Sequence, residues 1–509
     1  MFGTGQTDNL GDLFPPDRVV DDPWLIEATG DGKDIFWTYG DLVRQADALA
    51  LGLQAAGHAP GTRMSIVAEN SARYLITYFA IMRGGYCAVP VNFKLPDAAI
   101  THIHSDAGVV LAFTDAAHSG QVPGQIPQVR MDTEAWSALL AEGTLELAQL
   151  DADAFANILY TSGSTGVPKG VPLTHGGFRY ALRAALEGFA QEDDDVAIVA
   201  APLYHMNGLF FSKMVVAGGA QCVMLPRFEA RAYLEAIARH RCTLLTGIPT
   251  MAALFLRETD LIEKLDLSSI KTIVIGSAPV TKALMTQLAE TFPGVRIANS
   301  YGTTESGPTA FMPHPDGRPT PWPAIGVASK YVELELRDGP SDDEGTLWVK
   351  SPVVMPGYLN LPGKTASALR DGWYCTGDVM RRDAEGFFYF VDRADDMFVC
   401  GGENIHPGDV EAMLLRHPAV AEVVVVPVPD SIKGMLPAAY VVRQPGLDVT
   451  ADEIKAFALK HAPAYQHPRF VTFLDALPLS GTNKPDRKAL TAQAESLSRD
   501  TMLQDKDAP

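Results

Sequence analysis

The segment Phe155-Ala156-Asn157-Ile158-Leu159-Tyr160 runs directly into Thr161-Ser162-Gly163-Ser164-Thr165-Gly166-Val167-Pro168-Lys169-Gly170. The first six residues read as a buried strand and the next ten as a loop built to hold an anion. Glycines let the backbone curl until its amides converge, hydroxyls add donors, and a lysine supplies a mobile positive charge. That combination suits a polyphosphate. It differs from the P-loop pattern G-x-x-x-x-G-K-[ST], because Pro168 stands where the second glycine belongs and Lys169 is followed by Gly170.

Outward from this loop the chain alternates between two periods. Towards the N-terminus, Thr38 reads as an N-cap ahead of Leu42, Ala46, Leu49 and Leu53 at helical spacing. Strand-like MSIVA, CAVPVN and VVLAFT follow, with SARYLITYFAIMRGG as a helix between the first two. Towards the C-terminus, AQCVMLP, CTLLTGIP, IKTIVIGSAP and VRIANSYG read as buried strands, with RAYLEAIARH, TMAALFLRE and TKALMTQLAETF as helices between them. Two runs of βα units predict parallel sheets with crossover helices.

Between residues 340 and 392, short segments such as TLWVKSP and FFYFVD are divided by Gly, Pro and Asp, which predicts antiparallel hairpins. After Asp392 comes a smaller α/β pattern: VEAMLLRHP and DEIKAFALKHA as helices, AEVVVVPVP and AAYVV as strands. The last stretch, TAQAESLSRDTMLQDKDAP, is polar and is expected to fray. The expected fold class is α/β. A large domain of βα subdomains with a β-rich closing subdomain takes residues 1–392, a hinge 393–396, and a small α/β domain 397–509.

Composition narrows the function. The chain has 509 residues, 47% of them apolar, enough for large cores. Its formal charge of -20 opposes duplex nucleic acid or anionic lipid as main partner. MFGTGQTDNLGDLF lacks a basic start followed by an apolar run, and no apolar stretch reaches the ~20 residues that span a bilayer. Five scattered cysteines without a C-x-x-C pair disfavour a disulfide framework or a zinc site. A reduced, cytoplasmic protein without nucleic-acid binding or membrane insertion is expected, and a homo-oligomer is left open.

With the phosphate loop as the first of five ordered motifs, the chain resembles the adenylate-forming superfamily in its acyl-CoA synthetase branch. The others are Tyr301-Gly302-Thr303-Thr304-Glu305, Thr376-Gly377-Asp378, Asp392-Arg393 with Gly401-Gly402-Glu403-Asn404-Ile405, and Lys484 within SGTNKPDRKAL. The resemblance covers roughly residues 36 to 490. It implies ATP, magnesium and coenzyme A as a thiol co-substrate, and a small C-terminal domain that moves as a lid.

It also implies roles. Fourteen positions would contact the nucleotide: Thr161, Ser162, Gly163, Ser164, Thr165, Gly166 and Lys169 at the β- and γ-phosphates, Ser277, Ala278, Pro279, Tyr301 and Gly302 around adenine, and Asp378, assisted by Arg393, at the ribose. Thr304 would donate to the α-phosphate, Glu305 with Thr165 would hold magnesium, and Lys484 would bridge carboxylate and phosphate during adenylation. Asn483 stands where the family more often has a glycine before that lysine. Asp395 occupies the hinge position, Gly401 and Gly402 the loop beside pantetheine, and His205 the gate between acyl pocket and thiol tunnel.

The segments expected to line the acyl pocket contribute Met206, Phe210, Phe211, Gly307, Pro308, Ala310, Phe311 and Met312. That set predicts an apolar monocarboxylic acid, fatty or aromatic. Lys213, two helical turns past His205, reads as a solvated lysine, with the distal carboxylate of a diacid as the alternative partner. His102 and His104 read as structural. The expected activity is AMP-forming ligation of the acid to coenzyme A. Loading of a carrier protein and ligation of a dicarboxylate are the alternatives.

Overall fold

The computed structural model describes residues 7–15, 18, 20–29, 32–161, 167–188, 194–394, 396–400, 403–430, 433–480 and 485–504. The chain divides into two compact units, Met1–Glu335 with Trp348–Thr376, and Leu336–Leu347 with Gly377–Pro509.

The first unit holds two sheets. One runs Arg296–Ser300, Thr272–Gly276, Leu244–Gly247, Val196–Val199, Gln221–Met224 and Pro23–Glu27 in parallel, with Ile35–Thr38 antiparallel at its edge. The other runs Gln128–Arg130, Leu111–Thr114, Arg63–Val67, Cys87–Pro90 and Phe155–Thr161 in parallel, closed by antiparallel Lys169–Thr174. The two runs of βα units read from the sequence are these sheets.

Local chemistry sets the helices. Thr38 and Asp41 form a reciprocal capping box at the start of Tyr39–Ala55. Ser71 caps Ala72–Arg83 by accepting the Tyr74 amide. That helix is buried from Tyr74 to Arg83, as its nearly all-round apolar sequence requires. Truncating a ring such as fully buried Phe79 to alanine would cost about 3–5 kcal/mol. Helices Ala72–Arg83 and His175–Gly188 pack on the second sheet and Met206–Gly218 on the first, and the last two also pack on each other. A single core therefore joins both sheets.

The N-terminal segment is tied into this core, although nothing periodic in its sequence announces it. The Leu10 amide donates to His175 Nδ1 at 2.8 Å. Arg179 donates to the Asn9 and Asp12 carbonyls, and Arg83 to that of Gly11. Burial pushes the His175 imidazole down to about 4, which keeps Nδ1 free to accept.

In the second unit, residues 377–382 and Phe387–Arg393 form an antiparallel hairpin that places Asp378 opposite Arg393. A further sheet pairs Val420–Asp430 with Gly434–Arg443 antiparallel and adds Phe470–Leu474 in parallel. Helices Pro407–Leu414 and Ala451–His461 belong to the core on one face of that sheet. Arg487–Gln504 is a helix, and the last five residues of the polar stretch lie outside the described residues. Its Leu490 and Ala494, one turn apart, are buried in the core on the other face. Arg487 at its start donates to Glu411 and to the Val425 carbonyl, and the Val425 amide donates back to Glu411. Burial raises the Glu411 carboxyl to about 7 against the pull of Arg487.

Candidate active site

The first sheet sets the stage. Parallel strands present their carboxyl ends on one edge, and the loops leaving those ends form a crevice. His205 follows Val196–Val199, Ser277 to Pro279 follow Thr272–Gly276, and Tyr301 to Glu305 follow Arg296–Ser300. Strand register thus brings together three segments that lie up to a hundred residues apart. Gly276 is required there, since a Cβ would lie 2.1 Å from Ser300 Oγ. Ser277 is exposed, takes a left-handed φ of 65°, and accepts from Asn207 Nδ2 at 3.1 Å. Tyr301 is half-buried, its ring edge-on to Phe311 at 5.6 Å between centroids.

Tyr301 to Gly307 make a tight turn. The Thr303 hydroxyl lies 2.9 Å from Ser306 Oγ and accepts the Ser306 amide. Thr303 is thereby committed to the turn, whereas the neighbouring Thr304 side chain has no hydrogen bond among the described residues. Glu305 is buried, and its Oε1 accepts the Tyr358 hydroxyl at 3.0 Å. Its Oε2 has no partner among the described residues. Nearby Tyr374 is buried, and burial, followed by the Glu305 charge, holds its phenol well above the ordinary range.

Tyr358 also reaches the phosphate loop. The Lys169 ammonium lies over its ring, 4.4 Å from the centroid, so one aromatic side chain touches both Lys169 and Glu305. Its backbone is pinned by Thr365 Oγ1 at 2.9 Å, and the next amide, Leu359, donates to the Gly170 carbonyl. Tyr358 was absent from the sequence reading. It stands 53 residues past Glu305, and no spacing rule links the two. Thr161 pairs with Lys169 across the hairpin, and its hydroxyl is buried with no partner among the described residues. His102 lies 3.2 Å from the Pro168 carbonyl and buttresses the loop, while buried His104 contacts Ser65 and the Ile100 carbonyl.

In the second unit, Arg393 donates to Asp378 Oδ1 at 2.8 Å. Gly377 makes this possible. It has a φ of 72°, and a Cβ would meet Arg393 Nη2 at 2.9 Å. The T-G-D motif therefore holds a carboxylate and a guanidinium at a fixed register. Ser162, Gly163, Ser164, Thr165, Gly166, Asp395, Gly401, Gly402 and Lys484 lie outside the described residues.

Lys213 is a correction. It is 0% exposed, not solvated. Its amine donates to the Tyr78 hydroxyl at 3.0 Å and sits 3.5 Å from the Phe178 ring centroid. Burial holds it well below its ordinary pKa. Helix Met206–Gly218 is apolar on every side, so no face of it offers a lysine to water.

Comparison with known proteins agrees with this arrangement. Residues 16–359 match the model of the AMP-binding enzyme family, and residues 409–484 that of the AMP-binding enzyme C-terminal domain. The chain belongs to the AMP-binding enzyme family. This AMP-binding enzyme is 33% identical to a feruloyl-CoA synthase of Amycolatopsis sp, over 88% of its own length and 92% of the relative's. It is 32% identical to a fatty acid–[acyl-carrier-protein] ligase of Streptomyces coeruleorubidus, with 89% and 91% covered. Among solved structures, o-succinylbenzoate coenzyme A synthetase of Bacillus subtilis with ATP and magnesium superposes with a TM-score of 0.81 at 29% identity, covering 95% of this chain and 99% of that one.

The AMP-binding enzyme's residues fit a magnesium nucleotide. Glu305 offers a buried hard oxygen with one lone face, and Thr161 a buried hydroxyl without a partner among the described residues. Among those residues no three His, Cys, Asp or Glu side chains converge on a metal-sized site. One carboxylate plus the nucleotide's own oxygens is a usual magnesium environment. No helix among the described residues is long and apolar enough to cross a membrane.

Proposed function

We propose that this AMP-binding enzyme is an ATP-dependent acid–thiol ligase whose acid has an aliphatic or aromatic body and whose thiol is coenzyme A. The observation that carries the reading is the contact chain Lys169–Tyr358–Glu305. It ties a phosphate-loop cation to a metal-type carboxylate through one side chain. The similarity to a feruloyl-CoA synthase over most of both chains supports the acyl-CoA branch.

Two anions must meet in the first step, so the site has to neutralise both. Lys169 and the loop hydroxyls Ser162 and Thr165 take the β- and γ-phosphates, and Thr304 donates to the α-phosphate. Glu305, with Thr165, would hold magnesium, which supplies charge neutralisation on the polyphosphate. Tyr301 and the Ser277–Ala278–Pro279 segment flank adenine, and Asp378 with Arg393 binds the ribose hydroxyls. Lys484 bridges the incoming carboxylate and the phosphate. The carboxylate oxygen attacks the α-phosphorus and pyrophosphate leaves with the P–O bond electrons.

In the second step the thiol sulfur, having lost its proton, attacks the acyl carbon and AMP leaves. His205 stands between the acid and the incoming thiol, Gly401 and Gly402 lie beside the pantetheine arm, and rotation at Asp395 in the 393–396 hinge exchanges Lys484 for the thiol channel. A carrier-protein thiol is the second reading, favoured by the similarity to the fatty acid–[acyl-carrier-protein] ligase. The test is AMP release with a panel of acids, with and without coenzyme A. Acid-dependent AMP and pyrophosphate, with a thioester only when coenzyme A is present, are expected; ADP as the nucleotide product refutes the reading.

A further inference from the structure

Lys213 is a fully buried amine that no carboxylate answers among the described residues. Its surroundings are short of acceptors. The Tyr78 hydroxyl takes one N–H from Lys213 and gives its own proton to Asn157 Oδ1 at 3.2 Å. Asn157 Nδ2 is buried without a partner among the described residues, and so is the Tyr74 hydroxyl one turn before Tyr78 on the same helix. Lys213 keeps further N–H groups, and the Phe178 and Tyr78 rings face its amine. What remains unspent in this cluster is mostly donors, the Tyr74 hydroxyl being an acceptor as well. A water would answer some of them while adding donors of its own, whereas a carboxylate accepts at two oxygens and donates nothing. An ammonium paired with a carboxylate is also the usual form of a buried lysine charge.

The cluster lies in line with the candidate active site. Met206, Phe210 and Lys213 fall at i, i+4 and i+7 on helix Met206–Gly218, one stripe along its length. Met206 is half-buried beside His205, Phe210 stacks on Phe178 at 6.3 Å, and Lys213 sits on that same Phe178 ring. Seven residues at the helical rise separate Met206 from Lys213 by about 10 Å. Methionine and phenylalanine precede the amine along the stripe.

We propose that Lys213, Tyr78 and Asn157 form the far end of the acyl-binding site and receive the second carboxylate of a dicarboxylic acid whose first carboxylate is adenylated. This rests on the acid–thiol ligase reading and names the substrate class for it. The stripe is too long for malonate or succinate and suits a medium-chain diacid.

The experiment pairs diacids with monoacids of equal carbon number: adipate with hexanoate, suberate with octanoate, azelate with nonanoate, beside malonate, succinate and 4-hydroxycinnamate. AMP release is measured for the wild type and for Lys213→Met and Tyr78→Phe, with calorimetric binding of suberate and octanoate in parallel. In the wild type, suberate or azelate is expected to exceed its monoacid partner in kcat/KM. The diacid-to-monoacid ratio should fall roughly a hundredfold in Lys213→Met and less in Tyr78→Phe, because a site built for a polar group rejects what leaves it unpaired. Suberate binding should weaken in step. A wild type that prefers the monoacid at every length, or 4-hydroxycinnamate over every diacid, overturns the proposal, and so does a ratio that Lys213→Met leaves unchanged. Should Lys213→Met fail to fold, the wild-type profile and Tyr78→Phe still decide. Absence of AMP with every acid would refute the ligase reading instead, and suberate binding would then decide the subsite by itself.

Discussion

Replacing Tyr358 with phenylalanine separates its two contacts. The ring stays beneath the Lys169 ammonium at 4.4 Å, while the hydrogen bond to Glu305 at 3.0 Å is lost. A hydrogen bond to a charged group contributes about 1.5–3 kcal/mol, and leaving a buried carboxylate oxygen unanswered falls in the same range. At 1.36 kcal/mol per decade, adenylation should slow roughly 10- to 100-fold, read as kcat/KM for MgATP. The assay is pyrophosphate release at varied MgATP, beside thioester formation from pre-made acyl-adenylate. The second half-reaction should stay within about twofold of wild type, because Glu305 serves only the polyphosphate in this account. Tyr358→Leu should lose more, since a cation over a desolvated ring contributes up to ~2 kcal/mol. Adenylation unchanged in Tyr358→Phe, or an equal fall in both half-reactions, would refute the assigned positioning role.

Other expectations follow from the same site and fold. Lys484→Ala should lower adenylation by ~10²–10³ yet spare thioester formation from pre-made acyl-adenylate, a split visible by assaying the two steps apart. Asp395→Pro should do the reverse, because proline locks φ at the hinge; normal overall turnover would remove Asp395 from that role. His175 carries a pH signature. Its folded pKa of about 4 lies below the ordinary 6.5, so the unfolded chain binds the proton first as pH falls. Stability should therefore be full above pH 6.5 and decline towards pH 4 by about 3 kcal/mol from this group, measured by urea unfolding at stepped pH. His175→Gln should flatten that slope, and an identical slope in the variant would show that another group titrates.

The alternation of periods exposed both parallel sheets, because a buried strand and an amphipathic helix leave different marks on a sequence. The loop motifs were legible for a related reason. Gly377, with its positive φ beside the Arg393 guanidinium, and Gly276, crowded by Ser300, are glycines that the local geometry demands, so the motif and the geometry coincide. Tyr358 was illegible, since its partners arrive from a hairpin and a turn that only the tertiary fold brings together. Lys213 misled because charge suggests solvent, while a helix apolar all round offers no outward face. The terminal helix carries little apolar signal: Leu490 and Ala494 in the core, with Arg487 on Glu411 and the Val425 carbonyl, dock an otherwise polar segment. The N-terminal segment is held by Leu10 and Leu13 in the core and through carbonyls that accept from Arg83 and Arg179, and backbone acceptors carry no sequence signal.

The proposed reaction joins the acid's own oxygen to the α-phosphorus and releases it with AMP. It is tested most directly by supplying an accepted acid labelled with oxygen-18 in its carboxylate, together with MgATP and coenzyme A, and analysing the nucleotide by mass spectrometry. One labelled oxygen in the phosphoryl group of AMP is expected for each thioester formed. Label appearing in inorganic phosphate alongside ADP, or AMP formed without label, would contradict it.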